Sequence, residues 1–220
     1  MCGILGVISN DHNYNFDEML SKIAHRGPDD NGKFIHENIT LGHQRLSIQD
    51  LSSNGHQPMF SDNKRFVIIF NGEIYNHLEL RNKLSTKYFF KSNSDTETIL
   101  YGFIEYGIDL FNMLNGIFAF SILDTETGEL IIARDHFGVK PLYYISNRSL
   151  FAFSSELKTI INFSANSDFN LKSLFNYLYF LWSPGEDTPI KDFKKLLPGH
   201  YIKLNIHSLE SISINKFYTQ

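Results

Sequence analysis

The chain opens on a short uncharged run, CGILGVI at residues 2–8, whose length and apolar character predict a buried strand. Residues 17–24 follow as a short helix, closed by the turn chemistry of Arg26, Gly27 and Pro28. Residues 66–70 read as a second buried strand that ends at Asn71 and Gly72. Two helix starts carry capping-box spacing: Asn76 with Glu79, opening a helix to about Leu84, and Ser94 with Glu97, opening one over 96–106. From Gly116 the pattern changes to strands: IFAFSIL, a turn at 124–128, ELIIARD, PLYYIS and LFAFSS. Residues 171–181 pattern as a helix and 201–205 as a strand. No repeat, low-complexity linker or heptad array interrupts this order, so one continuous domain is the simplest organisation. Helices packed on antiparallel sheets make it an α+β protein.

Composition narrows the function classes. A chain of 220 residues buries roughly 70–75% of the surface its unfolded form exposes, enough to fold without staples. The net charge of -4 has no long run of one sign, which disfavours nucleic acid and an anionic membrane as partners and leaves a small polar ligand open. No stretch is long and apolar enough to span a bilayer, and the N-terminus lacks a signal peptide's basic flank and cleavage site. A cytoplasmic location is expected. The triplets at Asn38, Asn147 and Asn162 then carry no glycosylation meaning.

Nothing proposes a metal: there is no H-E-x-x-H, no paired Cys-x-x-Cys and no tight histidine cluster. Gly27 through Lys33 has the glycine and lysine spacing of a phosphate-binding loop. Phe34 replaces the required Ser or Thr, Pro28 has no N–H to donate, and Asp29 and Asp30 would repel a triphosphate. That reading is rejected.

The single cysteine is residue 2. Small second residues favour removal of the initiator methionine, which would leave Cys2 with both a thiol and a free α-amine. Such an amine titrates near about 7.7–8.0 and can take the thiol's proton, so nucleophile and base share one residue. The same residue also reads as an ordinary buried thiol in a strand. Asn71 and Gly72 offer a side-chain amide and a close backbone approach for an oxyanion, and equally a hairpin turn. Asp95 beside Ser94 suits a helix start through the helix dipole as well as it suits a ligand. Arg45, in a strand-like and weakly charged stretch, could grip a carboxylate bidentately or lie on the surface.

Together MCGILGV, AHRGPDDNG, GHQRLSIQDLSSNGHQPM, FNGEIYNHLELR, SDTETIL, ARDHFGVKPLYY, FSSELK and LPGHY stand in the order found in glutamine-hydrolysing asparagine synthetases. Residues 2 to about 205 resemble the N-terminal glutaminase half of those enzymes, a class II glutamine amidotransferase domain. The resemblance implies the N-terminal-nucleophile hydrolase fold, a four-layer αββα sandwich with antiparallel sheets. Residues 206–220 would begin the connection to an absent C-terminal synthetase domain. It makes Cys2 the nucleophile with its amine as base, and Asn71 and Gly72 the oxyanion hole. Arg45 would bind the α-carboxylate of L-glutamine, Glu73 and Asp95 its α-ammonium, and main-chain groups around Leu46, Ile48 and Gln49 would complete the pocket. Gln49 departs from the aliphatic residue common there. His25, Arg26, Gly27 and Asp29 would support the site.

The implied partners are L-glutamine and the synthetase domain; a homodimer stays open. No cofactor is implied in this domain, with ATP and magnesium expected only in the synthetase part. Two alternatives remain: an amidotransferase serving another acceptor, and a non-catalytic glutamine-binding regulatory module.

Overall fold

The computed structural model describes residues 1–11, 13–164 and 168–219. Twelve strands are present among them: β1 (Gly3–Ser9), β2 (Asp30–His36), β3 (Ile39–Arg45), β4 (Met59–Phe60), β5 (Phe66–Ile74), β6 (Gly116–Asp124), β7 (Glu129–Arg134), β8 (Tyr143–Ser146), β9 (Leu150–Ser154), β10 (Phe193–Lys195), β11 (His200–Asn205) and β12 (Ser208–Lys216). The helices are α1 (Phe16–Ser21), α2 (His77–Leu84), α3 (Asp95–Tyr106), α4 (Leu110–Met113), α5 (Leu157–Ile160) and α6 (Leu171–Phe180). No helix among the described residues is long and apolar enough to cross a membrane.

The strands form two six-stranded sheets, ordered β10-β8-β9-β1-β3-β2 and β12-β11-β7-β6-β5-β4. Side chains alternate between the faces of a strand, and that alternation builds the layers. Ile4 and Ile8 of β1, Ile39 and Leu41 of β3, and Val67 and Ile69 of β5 join one core between the sheets. The intervening residues face outward. Leu5 and Val7 pack on Phe16, Met19 and Leu20 of α1, while Ile68, Phe70 and Ile74 pack on Ile99 and Leu100 of α3. The result is helix, sheet, sheet, helix, as expected.

Several local expectations are corrected. The strand expected to end at Phe70 runs on through Asn71 and Gly72 to Ile74, paired with β6 as far as Gly116. A Cβ on Gly72 would collide with the Ile117 carbonyl oxygen and lie 2.7 Å from Phe70 Cε2, so this glycine serves close strand approach and not a turn. Neither capping box closes. Asn76 makes no side-chain cap; its amide instead donates to Met113 O and accepts from Asn115 N. Ser94 does cap α3 through Thr96 N, but Glu97 accepts from Lys91 N and Ser92 N instead of returning to Ser94. Beyond residue 205, β12 pairs with β11 from Asn205↔Ser208 to His200↔Lys216, so the folded sheet includes residues 208–216.

Candidate active site

The inter-sheet positions change character at one end of the sandwich. In β3 the sequence Ile39, Leu41, His43, Arg45 passes from apolar to polar on one face; in β5, Val67, Ile69, Asn71 and Glu73 do the same. Gly3 pairs with Gln44, so Cys2, one step beyond, arrives beside Arg45 and Leu46. All the site residues predicted from sequence line a single cleft here, which encloses about 610 Å³ including its open mouth.

Cys2 is partly buried. Its thiol donates to Leu46 O at 3.6 Å and accepts from Leu46 N at 3.4 Å. Burial pushes the thiol's pKa up, against the downward pull of the Leu46 N–H, the chain's amino group and Arg45. The residues assigned support roles hold its backbone. Arg26 Nε donates to Cys2 O at 2.9 Å, and Glu156 fixes Arg26 and His25 at 3.0 and 2.8 Å. Asp29 accepts from Ser47 N at 2.8 Å, while Gly27 lets its turn pass against the Gln44 and Arg45 backbone.

Asn71 is fully buried, and neither atom of its side-chain amide has a hydrogen-bond partner among the described residues. Such a group costs about 1–3 kcal/mol. Its neighbour Gly72 is equally specific. Both Phe118 N and Phe118 O bond Asp135, so the Gly72↔Phe118 pair is of the non-hydrogen-bonded kind and the Gly72 N–H turns toward the free edge of β5. On that edge Phe70 N donates to Gln57 Oε1 at 2.7 Å and Ile74 N to Asp95 Oδ2 at 2.9 Å. Gly72 N–H lies between these two satisfied donors, next to the Asn71 amide.

Arg45 is buried, with Nη1 donating to Ser52 O at 3.0 Å and Nη2 to Asp50 O. Two of its five N–H donors are used in this way, which leaves donors for a ligand carboxylate. Asp50 stays ionised: burial raises its pKa, but bonds from Ser52 and Asn93 lower it further. Asp95 is the opposite case. Burial lifts its carboxyl to about 6, despite the N–H donors of Ile74 and Thr96 and with added repulsion from Glu73. Gln49 Nε2 reaches Glu73 Oε1 at 3.5 Å, so its side chain joins the cleft where only a main-chain contribution was expected.

Several lining or supporting groups carried no sequence-derived role, among them Gly55, Gln57, His43 and Lys140. Gly55 leaves room for the Arg45 guanidinium, and Gln57 bridges Phe70 N to Thr96 Oγ1. His43 is wholly buried between the sheets and donates from Nε2 to Phe70 O at 3.0 Å. Burial drops its pKa to about 3, so it is a neutral bolt joining the two sheets behind Asn71. A polar residue inside a strand of otherwise buried pattern is the one sequence signal that marks it.

Residues 1–218 match the glutamine amidotransferase domain family. The chain belongs to that family. Asparagine synthetase [glutamine-hydrolyzing] 1 of Bacillus subtilis is 38% identical over 207 residues, covering 90% of this chain and 33% of the relative. Asparagine synthetase of Zea mays is 42% identical over 167 residues, 73% of this chain and 28% of the relative. Amidase chry2 of Gibberella zeae is 34% identical over 185 residues, 83% of this chain and 27% of the relative. This amidotransferase domain therefore spans about a third or less of the length of these relatives. In fold it matches glutamine phosphoribosylpyrophosphate amidotransferase from B. subtilis, with a TM-score of 0.74 at 18% identity over 100% of this chain and 50% of that one. The expected N-terminal-nucleophile hydrolase fold is thereby shown.

Proposed function

We propose that the domain hydrolyses the side-chain amide of L-glutamine through Cys2, after Met1 is removed, and supplies ammonia to the synthetase part of an asparagine synthetase. The observation that carries this reading is the unpartnered, fully buried amide of Asn71 beside the edge-facing Gly72 N–H, in the same cleft as the Cys2 thiol. Two donors converging where no protein acceptor is supplied suit an oxyanion that exists only during reaction.

The α-amine of Cys2 takes the thiol proton. The thiolate attacks the amide carbon of glutamine, and the carbonyl electrons move to oxygen, held by Asn71 Nδ2 and Gly72 N. Collapse expels the amide nitrogen, which takes the proton from the amine and leaves as ammonia. The remaining γ-glutamyl thioester is cut by water, with the amine again moving the proton; glutamate leaves and the thiol is restored. Arg45 faces the α-carboxylate, and Glu73 and Asp95 the α-ammonium, so the charges of the cleft match a zwitterion. Leu46, Ile48 and Gln49 form the adjoining wall. These steps call on no metal or cofactor; ATP and magnesium belong to the synthetase part, and the reaction is expected in the cytoplasm.

Intact mass will show whether Cys2 is the first residue, and glutamate release by wild type and Cys2→Ala tests turnover. Loss of release in Cys2→Ala supports the assignment; equal release from both overturns it. An acceptor other than aspartate keeps a specific footing, because a relative covering 83% of this chain is named an amidase. Comparing ammonia transfer to aspartate with transfer to other acceptors in the longer protein separates the two.

A further inference from the structure

The motif ARDHFGVK ends β7 and continues into a loop organised around one buried carboxylate. Asp135 is fully buried, and its carboxylate collects four main-chain N–H groups: Phe137 and Val139 on Oδ1 at 3.1 and 2.9 Å, Phe118 and Lys140 on Oδ2 at 3.2 and 2.9 Å. Arg134 clamps the carbonyls, donating to Lys140 O at 2.7 Å, Gly138 O at 2.6 Å and Leu196 O at 2.5 Å. Lys140 is thus gripped at both its N–H and its C=O. The side chain so anchored is buried and lines the cleft with Cys2, Asn71 and Gly72.

Among the described residues, no carboxylate lies within ion-pair distance of the Lys140 ammonium. The anchored backbone therefore fixes a cation without a close carboxylate at the wall of the cleft that holds Cys2.

We propose that Lys140 is a positioning residue for Cys2: a fixed neighbouring cation that favours the thiolate and keeps the adjacent α-amine unprotonated. This rests on the reading of Cys2 as the nucleophile. Burial works against a Cys2 thiolate, so cations at the site are needed to recover it. The charged groups that face this corner are Arg26 from the turn after α1, Asp29, Arg45 of β3, Glu73 of β5, Asp95 of α3 and Asp135 of the loop itself. Burial, followed by Arg26, lowers the Lys140 pKa, while Cys2, Asp135 and Glu73 raise it. With Met1 in place, burial is likewise the main effect lowering the pKa of the Met1 amino group, and Arg26 and Lys140 both add to it; removal of Met1 would bring the amine one residue along, to Cys2. Because Asp135 and Arg134 hold Lys140 only through main-chain atoms, Lys140→Met leaves the loop's hydrogen bonds in place.

The test is the rate of iodoacetamide alkylation of Cys2, the only cysteine in the chain, followed against pH in protein whose intact mass shows Met1 removed. The thiolate displaces iodide, so the profile reports the ionised fraction. Lys140→Met should move the profile's midpoint up by about one pH unit, lowering the neutral-pH rate about tenfold, and Lys140→Arg should restore it. Thermal unfolding within a few degrees of wild type confirms the fold. A Lys140→Met profile that superimposes on wild type overturns the proposal, including when KM for glutamine rises, since Lys140 would then be a glutamine-binding group. Wild-type glutamate release is measured in parallel. Release with superimposed profiles defeats the role of Lys140 alone; a shifted profile without release supports it and defeats the glutaminase reading.

Discussion

Replacing Asp95 with Asn should uncover an acid instability that the wild-type domain masks. His43 has a folded pKa of about 3 against an ordinary 6.5. Between these values the unfolded chain carries a proton that the folded one refuses, so stability is present above pH 6.5 and is lost as pH falls toward 3, by about 1.4 kcal/mol per unit and about 5 kcal/mol in all. Asp95 has a folded pKa of about 6 against 3.8. Here the folded chain holds the extra proton, so its contribution is full below 3.8 and is lost as pH rises through 6, about 3 kcal/mol in all. From about pH 4 to 6 the two slopes cancel. Urea denaturation at pH 4, 5 and 6, with the m-value checked for constancy, should give Asp95→Asn a stability that falls toward acid more steeply than wild type by about 1.4 kcal/mol per unit. His43→Gln, which can still donate to Phe70 O, should change in the opposite sense and gain stability toward acid relative to wild type. Other carboxylates add the same background to every variant, so the differences carry the test. Parallel pH profiles for wild type and Asp95→Asn would refute the reasoning.

The same proton on Asp95 predicts that KM for glutamine rises as pH falls below about 6, and that Asp95→Asn loses this inflection; steady-state kinetics from pH 5 to 8 decide. Asn71→Leu should cut kcat about 10²–10³-fold while raising stability by about 1–3 kcal/mol, because it removes a buried polar group with no partner; chemical denaturation beside a glutamate assay checks both signs. Gly72→Ala should lose about 1–3 kcal/mol of stability in thermal unfolding, since its Cβ would also lie 2.8 Å from Phe118 Cα, with turnover falling at least tenfold. Arg45→Lys removes the planar fork that holds Asp50 O and Ser52 O, so KM for glutamine should rise about 10–100-fold with kcat nearly kept, as measured by initial rates.

The residues that gather in one cleft were legible in the sequence and parts of the sheet were not, for definable reasons. Cys2 stood out because removal of Met1 would give it a free amine, and the charge types of Arg45, Glu73 and Asp95 suit a zwitterion wherever the fold brings them together. Strand β3 showed only as a strand-like stretch around Arg45, with no sign of its burial, because LGHQR is polar by composition, yet every residue of Ile39–Arg45 is buried; polar groups serving a site at the end of a core imitate a surface. At the sheet edges, β2 alternates in exposure and β12 is mostly exposed, and both lack an apolar run to announce them. Asn71–Gly72 carried a turn signature that pairing with β6 overrode, while Asn76 traded its helix cap for a tertiary bond to the 113–115 segment. Lys140 and His43 escaped because their roles depend on what faces them across the fold, which spacing does not encode.

A nucleophile at a chain terminus faces a physical difficulty, since termini fray unless something ties them down. Here the difficulty is met by topology. Strand β1 lies inside its sheet with β3 on one side and β9 on the other, paired from Gly3 to Ile8 with one and from Leu5 to Ser9 with the other. Both its faces are buried, so a slip of one residue would turn Ile4 and Ile8 away from the inter-sheet core and carry Cys2 with them. The register that builds the core is therefore the register that aims the thiol. Removing Met1, which is 57% exposed, breaks none of these pairs, and Arg26 still holds Cys2 O. Under the proposed removal of Met1, Cys2 would keep these anchors, which is the condition under which an amine and a thiol on one residue can share a proton in a repeatable geometry.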